Sequence, residues 1–215
     1  MNFYRLAAKG IRQVTWYYRT QEKRLYLTFD DGPSPDITPW ILDLLEQYDA
    51  RATFFCLGRQ VELFPSRYKE ILKRGHAVGN HTYSHLDGMA TRNSRYFKDV
   101  DHAARLIDSP LFRPPKGSFR PSQIKRLSKD YQIIMWDVLS KDYDTNQSSE
   151  IITRRVLQSA LPGSIVVFHD SEKAERNMRA VLPRFLKHFH QKGYAFPVVP
   201  DLKRDLIDMK VCSKQ

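Results

Sequence analysis

The sequence predicts an α/β fold: about seven strand–helix units wrapped into a single-domain, TIM-barrel-like parallel barrel. Three observations carry that prediction. Short aliphatic, aromatic and β-branched runs alternate with stretches of helical period along almost the whole chain. The length, 215 residues, suits one domain with a sizeable core but falls short of the ~250 residues that eight complete units need. The side chains best suited to chemistry, Asp30, Asp31, His81, Arg113, Asp142 and His169, fall at or just after the C-terminal ends of predicted strands, where barrel active sites gather.

Each element has its own signal. Leu25, Tyr26, Leu27, Thr28 and Phe29 read as a buried strand, and Gly32-Pro33 then turns the chain. Thr38 before Pro39 predicts a helix start, with Ile41, Leu42, Leu44, Leu45 and Tyr48 as the apolar stripe. A strand over 52–57 follows, then a helix through Tyr68, Ile71 and Leu72 that stops at Gly75. A strand over 76–80 delivers a histidine pair at its exit, and a helix is expected over about 94–107. Leu111-Phe112 reads as a strand leading into an Arg-Pro-Pro loop, with a helix over 121–130 beyond it. A strand over 131–136, a helix over 148–161 and a strand over 164–168 come next. A long helix over about 173–192 ends at Gly193, and 194–199 reads as the last strand. No low-complexity linker or internal repeat interrupts the series, so a second domain is not expected.

Two clusters point to chemistry. Asp30 and Asp31 sit side by side at the mouth of the first strand, and adjacent carboxylates repel unless a cation lies beside them. A metal ion on one and a base role for the other would satisfy both. The plainer alternative is a turn whose carboxylates only bond their own backbone. His81-Thr-Tyr-Ser-His85 places two imidazoles four residues apart, a spacing that brings both to one face. Alone, such a pair is often incidental. Two His and one Asp would leave coordination positions open for water and substrate, as a catalytic metal site requires.

With these motifs the chain resembles the polysaccharide deacetylases of the NodB-homology type, carbohydrate esterase family 4. The resemblance spans about residues 24–199 and rests on five motifs in the family's order. They are Thr28-Phe-Asp30-Asp31-Gly-Pro33, His81-Thr-Tyr-Ser-His85, Arg113-Pro-Pro-Lys116-Gly117, Asp137-Val-Leu-Ser-Lys-Asp142-Tyr143 and Val166-Val167-Phe168-His169-Asp170. The family's fold, a distorted (β/α)7 barrel, matches the unit count. The resemblance implies hydrolysis of N-acetyl groups on GlcNAc-containing glycans such as peptidoglycan or chitin oligomers. It implies one divalent metal, Zn2+, on Asp31, His81 and His85, although a two-His, one-carboxylate set also occurs in non-haem iron sites. Asp30 is implied as the general base, paired with Arg113. His169 is implied as the general acid, with Asp142 as the carboxylate that fixes its tautomer. A backbone N–H at Lys116 is the implied oxyanion donor, and Tyr143 and Val167 the implied lining for the acetyl methyl. Two positions depart from the usual pattern: Lys116 stands where an aromatic residue is common, and Tyr143 where Trp is common. Both bear on the substrate more than on the chemistry. Asp137 is read as structural, and His76, His102, His188 and His190 as surface or packing residues.

Composition sets the remaining bounds. A hydrophobic content of 41% with 12% aromatics describes a globular chain rather than a disordered one. The net charge of +11 attracts polyanions without choosing among nucleic acid, anionic lipid and acidic glycan. No basic run interleaved with aromatics appears, so no nucleic-acid partner is expected. Cys56 lies in an apolar strand and Cys212 in a polar tail, so reduced thiols are expected. No secretory signal and no membrane-spanning stretch is read, which gives a cytoplasmic or membrane-peripheral expectation. Residues 1–23 form a basic, aromatic extension and 200–215 a C-terminal tail. The extension's aromatics could lie in a membrane interface; they are read here as packing across the barrel's bottom. That mixture of charge and aromatics also keeps open deformylation or deacetylation of a lipid-linked sugar at a membrane face. A sugar-binding pseudoenzyme is the reading from another class, which the intact Asp30, Asp31, His81, His85 and His169 oppose. Monomer is the default state.

Overall fold

The computed structural model describes residues 13–201. Its strands are β1 (Val14–Thr15), β2 (Tyr26–Asp30), β3 (Ala52–Cys56), β4 (Ala77–Asn80), β5 (Leu111–Phe112), β6 (Gln132–Ile134), β7 (Val138–Leu139) and β8 (Ile165–His169). All pair in parallel in one curled sheet of order β1-β6-β5-β4-β3-β2-β8-β7. The helices are α1 (Ile37–Glu46), α2 (Gly58–Leu63), α3 (Pro65–Lys73), α4 (Asn93–Ala104), α5 (Pro121–Leu127), α6 (Ser149–Ser159) and α7 (Glu172–Gln191).

The central strands read as continuous apolar runs because both faces are covered. Leu27 and Phe29 of β2, Phe54 of β3 and Phe168 of β8 pack with Ile41, Leu182 and Phe185 in a layer between sheet and helices. Tyr26, Phe55, Ile133, Trp136 and Val167 fill the other, inner face. The period-2 alternation thus sends Thr28 and Asp30 inward, one above the other.

Several expected elements change. The strand expected over 131–136 is two strands: Met135 N–H still bonds to Thr15, but Asp137 N–H bonds to Ile165, so the chain changes partner within two residues. The strand expected over 194–199 is not formed, because Pro197 and Pro200 lack the N–H a ladder needs. Among the described residues its one β-bridge is Arg24–Ala195, and the Phe196 carbonyl accepts from Arg51 N–H at 2.7 Å, while Phe196 and Val199 stay buried, one in each core layer. Thr38 does not cap α1. The helix starts at Ile37, and the Ser34 hydroxyl takes the N–H groups of Ile37 and Thr38 at 3.2 Å each. Helix α2, too short to show a period, was not expected.

The edge strand β1 falls inside the expected N-terminal extension and pairs Val14–Thr15 with Ile133–Ile134. Residues 1–12 of that extension, and Cys212 with most of the tail, lie outside the described residues. Among the described residues no helix is long and apolar enough to cross a membrane.

Candidate active site

Strands β2 and β8 are neighbours in a register that sets Asp30 opposite His169. Asp30 is buried, and Arg113, itself wholly buried just past β5, donates to its Oδ1 at 2.6 Å. The rest of the guanidinium is fixed by Thr28 Oγ1 at 2.8 Å and by the carbonyls of Ile134 and Met135 at 3.1 and 3.0 Å. It also lies over the Phe55 ring at 4.0 Å. Burial alone would push the Asp30 carboxyl up; Arg113, then His81 and His169, outweigh it and hold it below the usual carboxylate range.

Asp31 follows in a left-handed conformation, φ 79°, which breaks the strand alternation, and both carboxylates line the same cleft. Asp31 Oδ1 lies 3.3 Å from His85 Nε2 and 3.7 Å from His81 Nε2. The ligand atoms of all three residues fall within 4.8 Å of one another. His81 Nδ1 is 2.8 Å from the Arg113 carbonyl oxygen, an acceptor, so that nitrogen carries the hydrogen and Nε2 keeps its lone pair. Burial, then His81, push His85 down to about 4, which favours the neutral ligating form. The buried Asp31 Oδ1 has no hydrogen-bond partner among the described residues. Two nitrogen donors converging on an orphaned carboxylate oxygen fit a divalent cation. The loop carrying the histidines is held from outside: Asn80 Oδ1 accepts from Thr82 N at 2.8 Å, and Asp99 accepts from the N–H groups of Tyr83 and Ser84 at 2.9 Å each.

Across the cleft His169 Nδ1 meets Asp142 Oδ1 at 2.7 Å, and His169 N–H donates to Asp142 Oδ2 at 2.9 Å. The Ser140 hydroxyl donates to the same buried carboxylate at 2.9 Å. Burial would lower the imidazole, but Asp142 first, then Asp31 and Asp30, raise it to about 9. Asp137 stays apart: it accepts from Ser164 Oγ and Ile165 N–H, both at 2.9 Å, and ties β7 to the start of β8.

These groups open on a cleft of about 590 Å3. Lys116 and Tyr143 line it, with Trp136 and Leu139 as apolar wall. The Tyr143 ring stands edge-on to His169, centroids 4.8 Å apart. Val167 does not reach the cleft. It is fully buried in the inner core, two residues below His169 on the same face, and its register partner Leu139 lines the cleft instead.

Three features had no clear signal in the sequence. Of the six non-glycine residues with positive φ among the described residues, Asp31, Thr82, His85, Lys116 and Lys141 all lie in loops of this site. Buried Asp170 accepts from Ser34 at 2.8 Å and from Thr38, and so fixes the turn after Asp31. Arg59 and Lys173 also line the cleft.

Comparison with known proteins agrees with this geometry. A family model described as polysaccharide deacetylase matches residues 17–134. A peptidoglycan-N-acetylglucosamine deacetylase of Bacillus cereus is 35% identical over 198 residues, covering 89% of this chain and 93% of that protein. The peptidoglycan-N-acetylmuramic acid deacetylase PdaC of Bacillus subtilis is 31% identical over 85% of this chain, which spans 39% of that longer protein. Among solved structures, the Bc1960 peptidoglycan N-acetylglucosamine deacetylase superposes with a TM-score of 0.82 at 30% identity, covering 88% of this chain and 92% of that one.

Proposed function

The chain belongs to the polysaccharide deacetylase family, and we propose that it hydrolyses N-acetyl groups on GlcNAc-containing glycans of the peptidoglycan type. The observation that carries this reading is the meeting of three constellations in one cleft: Asp30 with Arg113, Asp31 with His81 and His85, and His169 with Asp142.

On this reading Asp30 takes a proton from the attacking water, whose oxygen bonds to the acetyl carbonyl carbon. Arg113 orients Asp30 and keeps it ionised. The Lys116 N–H offers a donor for the oxyanion that develops. His169, held as an imidazolium by Asp142, gives its proton to the amide nitrogen as the C–N bond breaks. Acetate and a free amine leave. A divalent ion on Asp31, His81 and His85, with zinc the ion this donor set suits, would supply Lewis acidity toward the carbonyl and the water. Trp136, Leu139 and Tyr143 serve as the wall for the acetyl methyl, in place of Val167.

Incubating the zinc-loaded protein with GlcNAc oligomers and peptidoglycan fragments, and following acetate release by mass, tests the reading. Elemental analysis should find one ion per chain in the wild type and strong depletion in His81→Ala, because the described site has three protein donors. Full occupancy in the variant would remove the metal site; no acetate from any of these glycans would remove the activity.

A further inference from the structure

One buried polar side chain close to the cleft has no part in the roles assigned above. The inward face of α7 is apolar at Ala174, Met178, Val181, Leu182 and Phe185, and Asn177, 6% exposed, interrupts it. An asparagine buried there costs stability unless its amide is paired. Asn177 Nδ2 donates to the carbonyls of Asp142 at 3.0 Å and Asp144 at 3.2 Å. Two carbonyl acceptors settle which end of the amide faces the loop, since only its nitrogen donates.

The loop that carries those carbonyls is under strain. After β7 the chain leaves the sheet, and Lys141 takes a left-handed conformation, φ 59°, that a lysine rarely adopts. Ser140 N–H still bonds to Val167 at 3.1 Å; beyond it the loop's own bonds are local, from Asp144 N–H to the Lys141 carbonyl at 3.0 Å and from the Ser140 hydroxyl to Asp142 Oδ1 at 2.9 Å. The helices outside supply the rest. Half-buried Arg155 of α6 donates to the Ser140 carbonyl at 2.7 Å and also to the Gln147 side chain. Alternate carbonyls, those of Ser140, Asp142 and Asp144, thus each accept from a helix side chain. The same stretch presents Asp142 to His169 and sets the Tyr143 ring edge-on to that imidazole.

Resting on the deacetylase reading, we propose that Asn177, supported by Arg155, is a positioning residue for the acid side of the reaction: it anchors the backbone on either side of Tyr143 and so sets the Asp142 carboxylate on His169. With those donors removed, the carboxylate's two bonds to His169 would have to hold the loop alone against the strain at Lys141. A displaced carboxylate loosens its grip on the imidazolium, and misplacing a reacting group by about 1 Å can cost ~10² in rate.

Asn177→Leu in the zinc-loaded full chain tests this, because leucine keeps a branched side chain, extends the apolar stripe and donates nothing. The proton between His169 Nδ1 and Asp142 Oδ1, held in a charge-assisted bond of 2.7 Å, gives a downfield proton NMR line that Asp142→Asn should abolish and so assign. In Asn177→Leu that line should move upfield or broaden, and kcat on a GlcNAc oligomer should fall by roughly tenfold or more. A merely structural role predicts a lower Tm with the line and kcat unchanged below the melt, and that result overturns the inference. A line in its wild-type place overturns it whatever kcat does. If Asn177→Leu does not fold, Arg155→Gln decides: it should shift the line in the same direction and lower kcat by about threefold, and an unmoved line there overturns the inference too. No acetate from the wild type overturns the deacetylase reading, while the NMR line, which needs no substrate, still decides whether Asn177 holds the pair.

Discussion

Asp30 and Asp31 are adjacent, yet the backbone separates their environments. Asp30 ends a strand, buried against Arg113, whereas Asp31 steps into a left-handed turn toward His81 and His85. Their proposed roles should therefore separate by mutation. Asp30→Asn is expected to keep its metal and lose about 10²-fold or more in kcat, since an amide cannot accept the water's proton. Near-normal turnover would sink the base assignment. His169 offers a pH signature. Its folded-state pKa is raised from 6.5 to about 9, so the charged imidazole contributes stability that is complete below 6.5 and fades as pH climbs through about 9. The proton it is proposed to donate is lost as pH climbs through about 9, and a cation on Asp31 would cancel one of the raising charges and pull the limb lower. Asp142→Asn removes the strongest raising influence and leaves burial, so the alkaline limb of the pH–rate profile should move to lower pH. An unmoved limb would mean that some other group sets it.

At the scale of elements, legibility followed the number of independent signals. Helix α6 was expected over 148–161 and forms over Ser149–Ser159, and its start is fixed by a cap that the sequence reading did not name: the Ser148 hydroxyl accepts from Ile151 N–H at 3.4 Å. The run before Asp30 was readable because a strand covered on both faces is apolar throughout. Strands β1 and β7 have two residues each, too few for any period, and only partner choice across the sheet defines them. The left-handed site residues were hidden for a related reason: Thr and Lys rarely adopt that conformation, and Asp and His adopt it more often but still in the minority, so the surrounding contacts impose it. Gly163 shows where such backbone demand is visible. It sits at φ 80°, and an added Cβ would lie 1.8 Å from the Tyr18 carbonyl oxygen, while its own carbonyl accepts from Tyr18 N–H at 2.9 Å. Gly163→Ala should cost roughly 2 kcal/mol or more through the positive φ and the backbone clash together. A thermal melt measures it, and an unchanged Tm would show that the loop relaxes freely.

At the scale of the whole molecule, the chain's start matters most, because β1 covers the free edge of β6. Val14 is buried, Trp16 and Tyr18 pack against the inner core, and Tyr18 meets the Tyr26 ring at 4.6 Å between centroids. Tyr18 also accepts from the Gln132 side chain at 3.0 Å, beside the β6 backbone it helps to cover. These aromatics are engaged by the protein, which leaves them poorly placed to enter a lipid interface. Two or three such side chains are worth roughly 3–6 kcal/mol of apolar burial. Deleting residues 1–23 should therefore lower Tm by roughly 6 °C or more for a chain of this size and raise binding of an apolar dye. The same deletion should abolish no salt-sensitive sedimentation with anionic vesicles. If instead the truncated chain keeps its Tm, hydrolyses soluble glycans, and loses vesicle binding that the full chain had, the segment is an interfacial anchor, and a lipid-linked substrate becomes the better reading.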